Sequence, residues 1–238
     1  MRIGTNLALG RQKAPAVGGW NPLSLVSTRE WFQISNTNTI TGYSIGAPSA
    51  VNGRAGLLSL AQATPAYQPT INGSVGANAI HALTFGGVGV YMKAVDSLAQ
   101  PFTLASICQT TDASSLQVLM DFDGATADKR FGIQAANTWR CELGLNANGT
   151  TTTDTAAHVV LLEANGASTK IYIDGVLIGT GNCGAGSVTA WQMGLRGNGF
   201  NPWYGPISDT VISNGILSAS DRASLVSFLG NSAGIAVS

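Results

Sequence analysis

The stretch Lys170-Ile-Tyr-Ile-Asp-Gly-Val-Leu-Ile178 decides the fold class. Two apolar, β-branched runs flank Asp174-Gly175, a dipeptide that tolerates the positive φ angles of a two-residue hairpin turn. The segment therefore reads as two antiparallel strands. Just upstream, His158-Val-Val-Leu-Leu162 is another apolar run of strand length. Working outward, similar runs recur every 8–15 residues, broken by Gly, Asn, Asp or Pro. They predict strands at Trp31–Ile34, Ile80–Phe85, Val88–Met92, Phe102–Cys108, Leu116–Phe122, Arg130–Ala135 and Thr138–Leu143. Further strands are expected at Ala157–Leu162, Thr169–Ile173, Val176–Gly179, Val188–Leu195 and Tyr204–Ser213. One helix is expected near the C-terminus, where Ser218-Ala-Ser-Asp221 forms a capping-box pattern and Gly230 offers a stop. No fixed-period repeat appears, which disfavours propellers and solenoids. Many strands and one short helix point to an all-β, antiparallel two-sheet jelly-roll sandwich.

Composition agrees. Of 238 residues, 10% are charged, 30 are Gly, and Ser, Thr and Asn together make up 59. Strand and turn surfaces are thus polar but uncharged. Twelve basic and twelve acidic residues cancel, so the basic footprint of a nucleic-acid binder is missing. No window approaches 18 consecutive apolar residues, which argues against a membrane span. Residues 1–28 differ from the rest: Arg2, Arg11 and Lys13 stand there without an acidic residue, among helix- and strand-breaking Gly and Pro. They read as an extended arm, either one whose basic side chains contact a partner or a loose tail, and residues 29–238 as the domain. The N-terminus lacks the apolar core of a secretory signal. Cys108, Cys141 and Cys183 are widely spaced, as expected of buried free thiols made in a cytoplasm.

Three segments carry a family resemblance: Trp20-Asn-Pro-Leu-Ser-Leu25 through Ala82-Leu-Thr-Phe-Gly86, the His158–Gly179 strand set, and Gly205-Pro-Ile-Ser-Asp-Thr-Val-Ile212 running into the terminal helix. Together they resemble concanavalin A-like, laminin-G-like jelly rolls, and the opening segment is similar to such domains found among bacteriophage virion proteins. That resemblance implies a non-enzymatic capsid decoration (cement) or head-fibre protein. Its partners would be the major capsid or another virion protein and further copies of itself, and its location the virion. The alternative is a glycan-binding module, a lectin or tail-fibre receptor binder, meeting a cell-surface glycan.

Chemistry is harder to find. Glycosidases on this sandwich project paired carboxylates from one strand face. Asp121-Phe-Asp123 is the nearest match, but Glu30, Glu142 and Glu163, the chain's three glutamates, are not paired with it. No catalytic residue is assigned. Asp121, Asp123 and Asp128 fall short of a calcium loop, so no metal and no cofactor are expected. Gly179-Thr-Gly-Asn-Cys-Gly184 matches a dinucleotide motif but opens no helix. His158 reads as a strand-edge residue and His81 as packed. The most suggestive surface is Trp191–Tyr204, where Asn198, Asn201, Trp203 and Tyr204 are candidates for a protein interface or a glycan platform, against the alternative that Trp191 and Trp203 pack the core.

Overall fold

A computed structural model describes residues 20–43, 46, 48–123, 129–134, 137–152 and 154–238. In chain order the strands are β1 (Thr28–Phe32), β2 (Ile40–Thr41), β3 (Ala50–Asn52), β4 (Ser59–Ala61), β5 (Thr70–Val75) and β6 (Ile80–Gly86). There follow β7 (Met92–Leu98), β8 (Phe102–Gln109), β9 (Gln117–Asp121), β10 (Lys129–Ile133), β11 (Thr138–Leu143) and β12 (Asn146–Thr152). The last are β13 (Ala157–Ala164), β14 (Thr169–Ile173), β15 (Val176–Gly181), β16 (Val188–Met193) and β17 (Tyr204–Asn214), before helix α1 (Ala219–Ala233). They form two antiparallel sheets. The back sheet has eight strands in the order β15-β14-β13-β8-β17-β6-β5, with β1 also on β17. The front sheet has nine, in the order β12-β11-β10-β9-β16-β7-β4-β3-β2.

Strand alternation sorts the side chains into two cores. Between the sheets lie Phe32, Phe85, Phe102, Phe122, Phe131 and Trp191, all fully buried. Phe102, Phe122 and Trp191 meet edge-to-face with centroids 5.5–5.7 Å apart, the arrangement that aromatic quadrupoles favour. The second core lies on the outer face of the back sheet. There Leu225, Val226 and Leu229 of α1 cover Ala105, Ile107, Val159, Leu161 and Val211. β8 and β13 are therefore buried on both faces, and their sequences are mostly apolar, with Thr103 and Ser106 in β8 and Glu163 in β13 as buried polar exceptions. Trp20 joins this layer against Phe228, so the chain is packed from Trp20 onward, ahead of residue 29.

At one side the sheets close on each other. Thr150 of β12 donates to the Ile178 carbonyl of β15 at 2.8 Å, and a Cβ on Gly179 would sit 2.5 Å from the Asn148 carbonyl oxygen. The glycines of Gly179–Gly184 thus let two backbones touch. No helix follows them, which agrees with a glycine-rich loop and not a phosphate cradle.

The structure corrects several expectations. Residues 88–91 are not a strand; the chain turns there and β7 begins at Met92. Gly230 does not stop the helix. It lies inside α1 close to Val237, and the cap is Gly234 in the left-handed region at φ 69. The Ser218 cap is as expected, accepting from Asp221 N at 3.1 Å. The hairpin turn also forms, with φ of 51 at Asp174 and 87 at Gly175, as a two-residue turn of this hand requires.

Candidate functional site

Helix α1 covers the back sheet, while the outer face of the front sheet carries polar side chains. Residues directly opposite each other on paired strands share a face. The register places Asn146 opposite Glu142, Glu142 opposite Arg130, and Arg130 opposite Asp121. It continues with Asp121 opposite Gln192 and Gln192 opposite Lys93. Six polar residues therefore form one row across β12, β11, β10, β9, β16 and β7, about 24 Å long at the usual ~4.8 Å between strands. Their neighbours Trp139, Cys141, Phe131, Met120, Trp191 and Met193 face the core, which fixes the row on the opposite face.

The row is organised by ion pairs and hydrogen bonds. Glu142 Oε2 lies 3.0 Å from Arg130 Nη2 and 3.2 Å from Arg140 Nη2. Arg140 also donates to Asn146 Oδ1 and to Gln134 Oε1, each at 3.0 Å. Two guanidiniums on one carboxylate leave this end cationic. Asp121 is buried and accepts from Asp123 N at 3.0 Å and Gly197 N at 3.1 Å. It ties the following loop to the sheet. Gln192 donates to Leu195 O at 2.9 Å, anchoring the same loop.

That loop, residues 194–203, contains Asn198, Asn201 and Trp203 of the candidates drawn from the sequence, and Tyr204 follows at the start of β17. It runs beside β9, with Gly194 N donating to Leu119 O and Val118 N to Asn201 O, both at 3.0 Å. Its tip closes through Gly199 N to Arg196 O, and Asn198 Oδ1 accepts from Phe200 N. Asn201 takes a positive φ of 54. The reading of Trp203 as a contact platform is overturned. Its indole is fully buried, lies 6.1 Å from the Trp139 ring and donates to Gln109 O. Trp191 is likewise core, donating to Asp96 Oδ2 at 2.8 Å. Tyr204 is half-buried, and its backbone N donates to Gln117 Oε1. The aromatic that the loop does present is Phe200, 67% exposed. Its signal in the sequence was Gly199-Phe-Asn-Pro202, an aromatic framed by turn formers. Arg2, Arg11, Lys13 and Asp128 lie outside the described residues.

Sequence reading missed a second constellation. His158 Nδ1 lies 2.7 Å from Asp174 Oδ2, and Nε2 2.9 Å from Asp154 Oδ1. The hydrogen bond accepted by Asp174 raises the imidazole pKa above its ordinary value, against the opposing effect of burial. The site borders an open groove of about 510 Å³ lined by Gln109, Ala157, Gly234 and Ile235 among others. His158 is thus clamped between a hairpin turn and a loop. His81, expected to be packed, is exposed and meets the Tyr43 ring edge-on.

No family model and no curated protein sequence matches the chain. Solved structures do match. Trypanosoma rangeli sialidase superposes with a TM-score of 0.56 at 16% identity, covering 87% of this chain and 33% of the sialidase. The complex of that enzyme with sialic acid gives 0.57 over the same shares. The chain thus spans about a third of the sialidase. Domain 4 of AbnA, an extracellular GH43 arabinanase from Geobacillus stearothermophilus solved with arabinotriose, superposes at 0.57 with 10% identity, covering 84% of this chain and 98% of that domain. The shared feature is the β-sandwich.

Chemically, the front face presents Asn146, Arg130 and Lys93 to solvent, while Glu142, Asp121 and Gln192 are buried and bonded within the protein, and the adjoining loop exposes Phe200. The chain's glutamates are all occupied structurally. Glu30 binds backbone amides, Glu142 two arginines, and Glu163 accepts from Arg222 at 2.8 Å. Among the described residues, no group of three or more His, Cys, Asp or Glu is placed to hold a metal ion.

Proposed function

We propose that this chain is a non-catalytic carbohydrate-binding module whose ligand lies on the front face, along the row from Asn146 to Lys93 and against the 194–203 loop. The observation that carries the reading is the row itself. Six polar residues align on the face away from the core, of which Asn146, Arg130 and Lys93 reach solvent, next to a loop that holds Phe200 in solvent. Sugars present both hydroxyls and apolar ring faces, so polar groups beside an aromatic ring suit them, and Asn198 at the loop tip adds an amide. The sandwich that this chain shares with carbohydrate-handling proteins supports the reading, whereas nothing in those likenesses favours the virion role that the family resemblance implied.

The test is a glycan array followed by titration calorimetry on the best hit. Phe200→Ala and Asn146→Ala, both at exposed positions, should each weaken binding about tenfold (~1.4 kcal/mol) or more without lowering the unfolding midpoint. The protein should release no reducing sugar from the bound glycan. Retention of full affinity in both variants would move the ligand elsewhere, and co-sedimentation with phage shells in the absence of glycan binding would restore the virion reading.

A further inference from the structure

The two cores leave one chemically reactive pair unused. Cys141 is on β11 and points between the sheets, while Cys183 follows β15 in the chain that crosses from the back sheet to the front sheet. Both are buried. The crossing chain is laid along the β11–β12 turn: Cys183 O accepts from Leu143 N at 2.7 Å and from Leu145 N at 3.0 Å. Two residues earlier, a Cβ on Gly181 would lie 3.2 Å from the Cα of Ala147, the cross-strand partner of Cys141. Both side chains enter the same core cluster, so the chain that carries Cys183 lies against the strand pair that carries Cys141. Around Cys183 the setting is polar. Thr169 Oγ1 donates to its sulfur at 2.9 Å, and Gln100 Oε1 and Gly184 O lie at 3.7 and 3.6 Å.

We propose that Cys141 and Cys183 are a modification site at which a peroxide forms an intramolecular disulfide, stapling the front sheet to the back-sheet hairpin. The two thiols are chemically unequal, which sets the order of events. Hydrogen bonds from Cys141 and Thr169 pull the Cys183 thiol down to about 6, whereas burial holds Cys141 well above its ordinary value. Cys183 is thus the thiolate. It attacks one oxygen of hydrogen peroxide, the O–O bond breaks, and hydroxide leaves, giving a sulfenic acid on Cys183. The Cys141 sulfur then attacks that sulfur; the S–O bond breaks and water departs with the Cys141 proton. Hydroxide takes up the proton that Cys183 had released. The sum is two thiols and one peroxide giving one disulfide and two waters. Cys108, on β8 opposite His158, is fully buried with its thiol pushed up beyond the range of easy ionisation, and takes no part.

The experiment is peroxide treatment of the native protein, followed by alkylation in denaturant and peptide mapping without reductant. The expected result is an intact mass lower by two hydrogens, one cross-linked pair of peptides carrying Cys141 and Cys183, and Cys108 fully alkylated. The thermal midpoint should rise by on the order of 5–10 °C and return on reduction. Cys108→Ala should behave as the unaltered protein, while Cys141→Ser and Cys183→Ser should lose the cross-link. If either serine variant folds poorly, the peptide map of the unaltered chain decides. Oxygen adducts without loss of hydrogen, a cross-link to Cys108 or to a second molecule, or three alkylatable thiols after treatment would each overturn the proposal.

Discussion

Single side chains do unusual amounts of organising in a chain with so few charges. Glu30 is fully buried on β1 and accepts from four backbone amides: Trp31, Ala55, Leu57 and Leu58, at 2.7–2.9 Å. One carboxylate thus builds the turn before β4. Gly53 permits the approach, since a Cβ there would stand 2.0 Å from the carboxyl carbon. Glu30→Gln removes the charge and turns an amide group toward backbone donors. It should cost about 2–4 kcal/mol in urea denaturation, and a loss under 0.5 kcal/mol would refute this role. Two other residues set the pH profile. Asp209 is fully buried, and desolvation raises its carboxyl to about 6, although it accepts from Ser35 N at 2.7 Å. Its ionisation penalty applies fully above that value and is relieved as pH falls toward 3.8. His158, raised by Asp174, contributes stability fully below 6.5 and loses it as pH rises through the higher folded value. Both effects favour the acid side. Stability should be greater at roughly pH 5.5 than at pH 8, and the difference should shrink in a His158→Gln/Asp209→Asn variant. A profile that rises toward pH 8 would contradict this. Neither Glu30 nor His158 was legible in the sequence, because Ala55, Leu57 and Leu58 on Glu30 and Asp174 on His158 lie 16–28 positions away.

At the scale of elements, what could be read was what buries apolar surface. β8, β13 and β14 announce themselves because both faces are covered, or one face is covered densely. β12, Asn146-Ala-Asn-Gly-Thr-Thr-Thr152, went unseen for the opposite reason. Within it Ala147 reaches the core, and the rest is the polar stock of a loop. β3 and β4 are three residues each and hide for lack of length. The polar row shows the same limit: its members sit on six strands, and register alone aligns them. The loop shows in its composition, yet a platform and a core role for Trp203 both stayed open, because a buried Trp with a hydrogen-bonded indole and an exposed one have the same letters around them. The contact between β12 and β15 has a direct test. Gly179→Ala must push its methyl into the Asn148 carbonyl, so about 1–3 kcal/mol of stability should be lost. An unchanged midpoint would mean that the two edges do not touch.

The whole molecule is a sandwich with unlike faces: one sealed by α1, the other polar and cationic at one end although the chain's net charge is zero. Zero net charge gives little long-range steering, so glycan affinity should change less than threefold between low and physiological salt. A steep salt dependence would instead point to the arginine end of the row. Removing divalent cations should leave folding and binding unchanged, and a midpoint drop with EDTA that calcium reverses would contradict that. The closed seam between β12 and β15 has a consequence for self-association. A strand edge with unpaired amides is a template for another chain. Among the described residues, the edges of β12 and β15 face each other. Of the other edges, β1 pairs with β17 alone, β2 is a two-residue strand, and β5 pairs irregularly with β6 between Thr70 and Gly73. Fibrillar growth by strand addition could start from one flank of this molecule, and that flank offers a poor template.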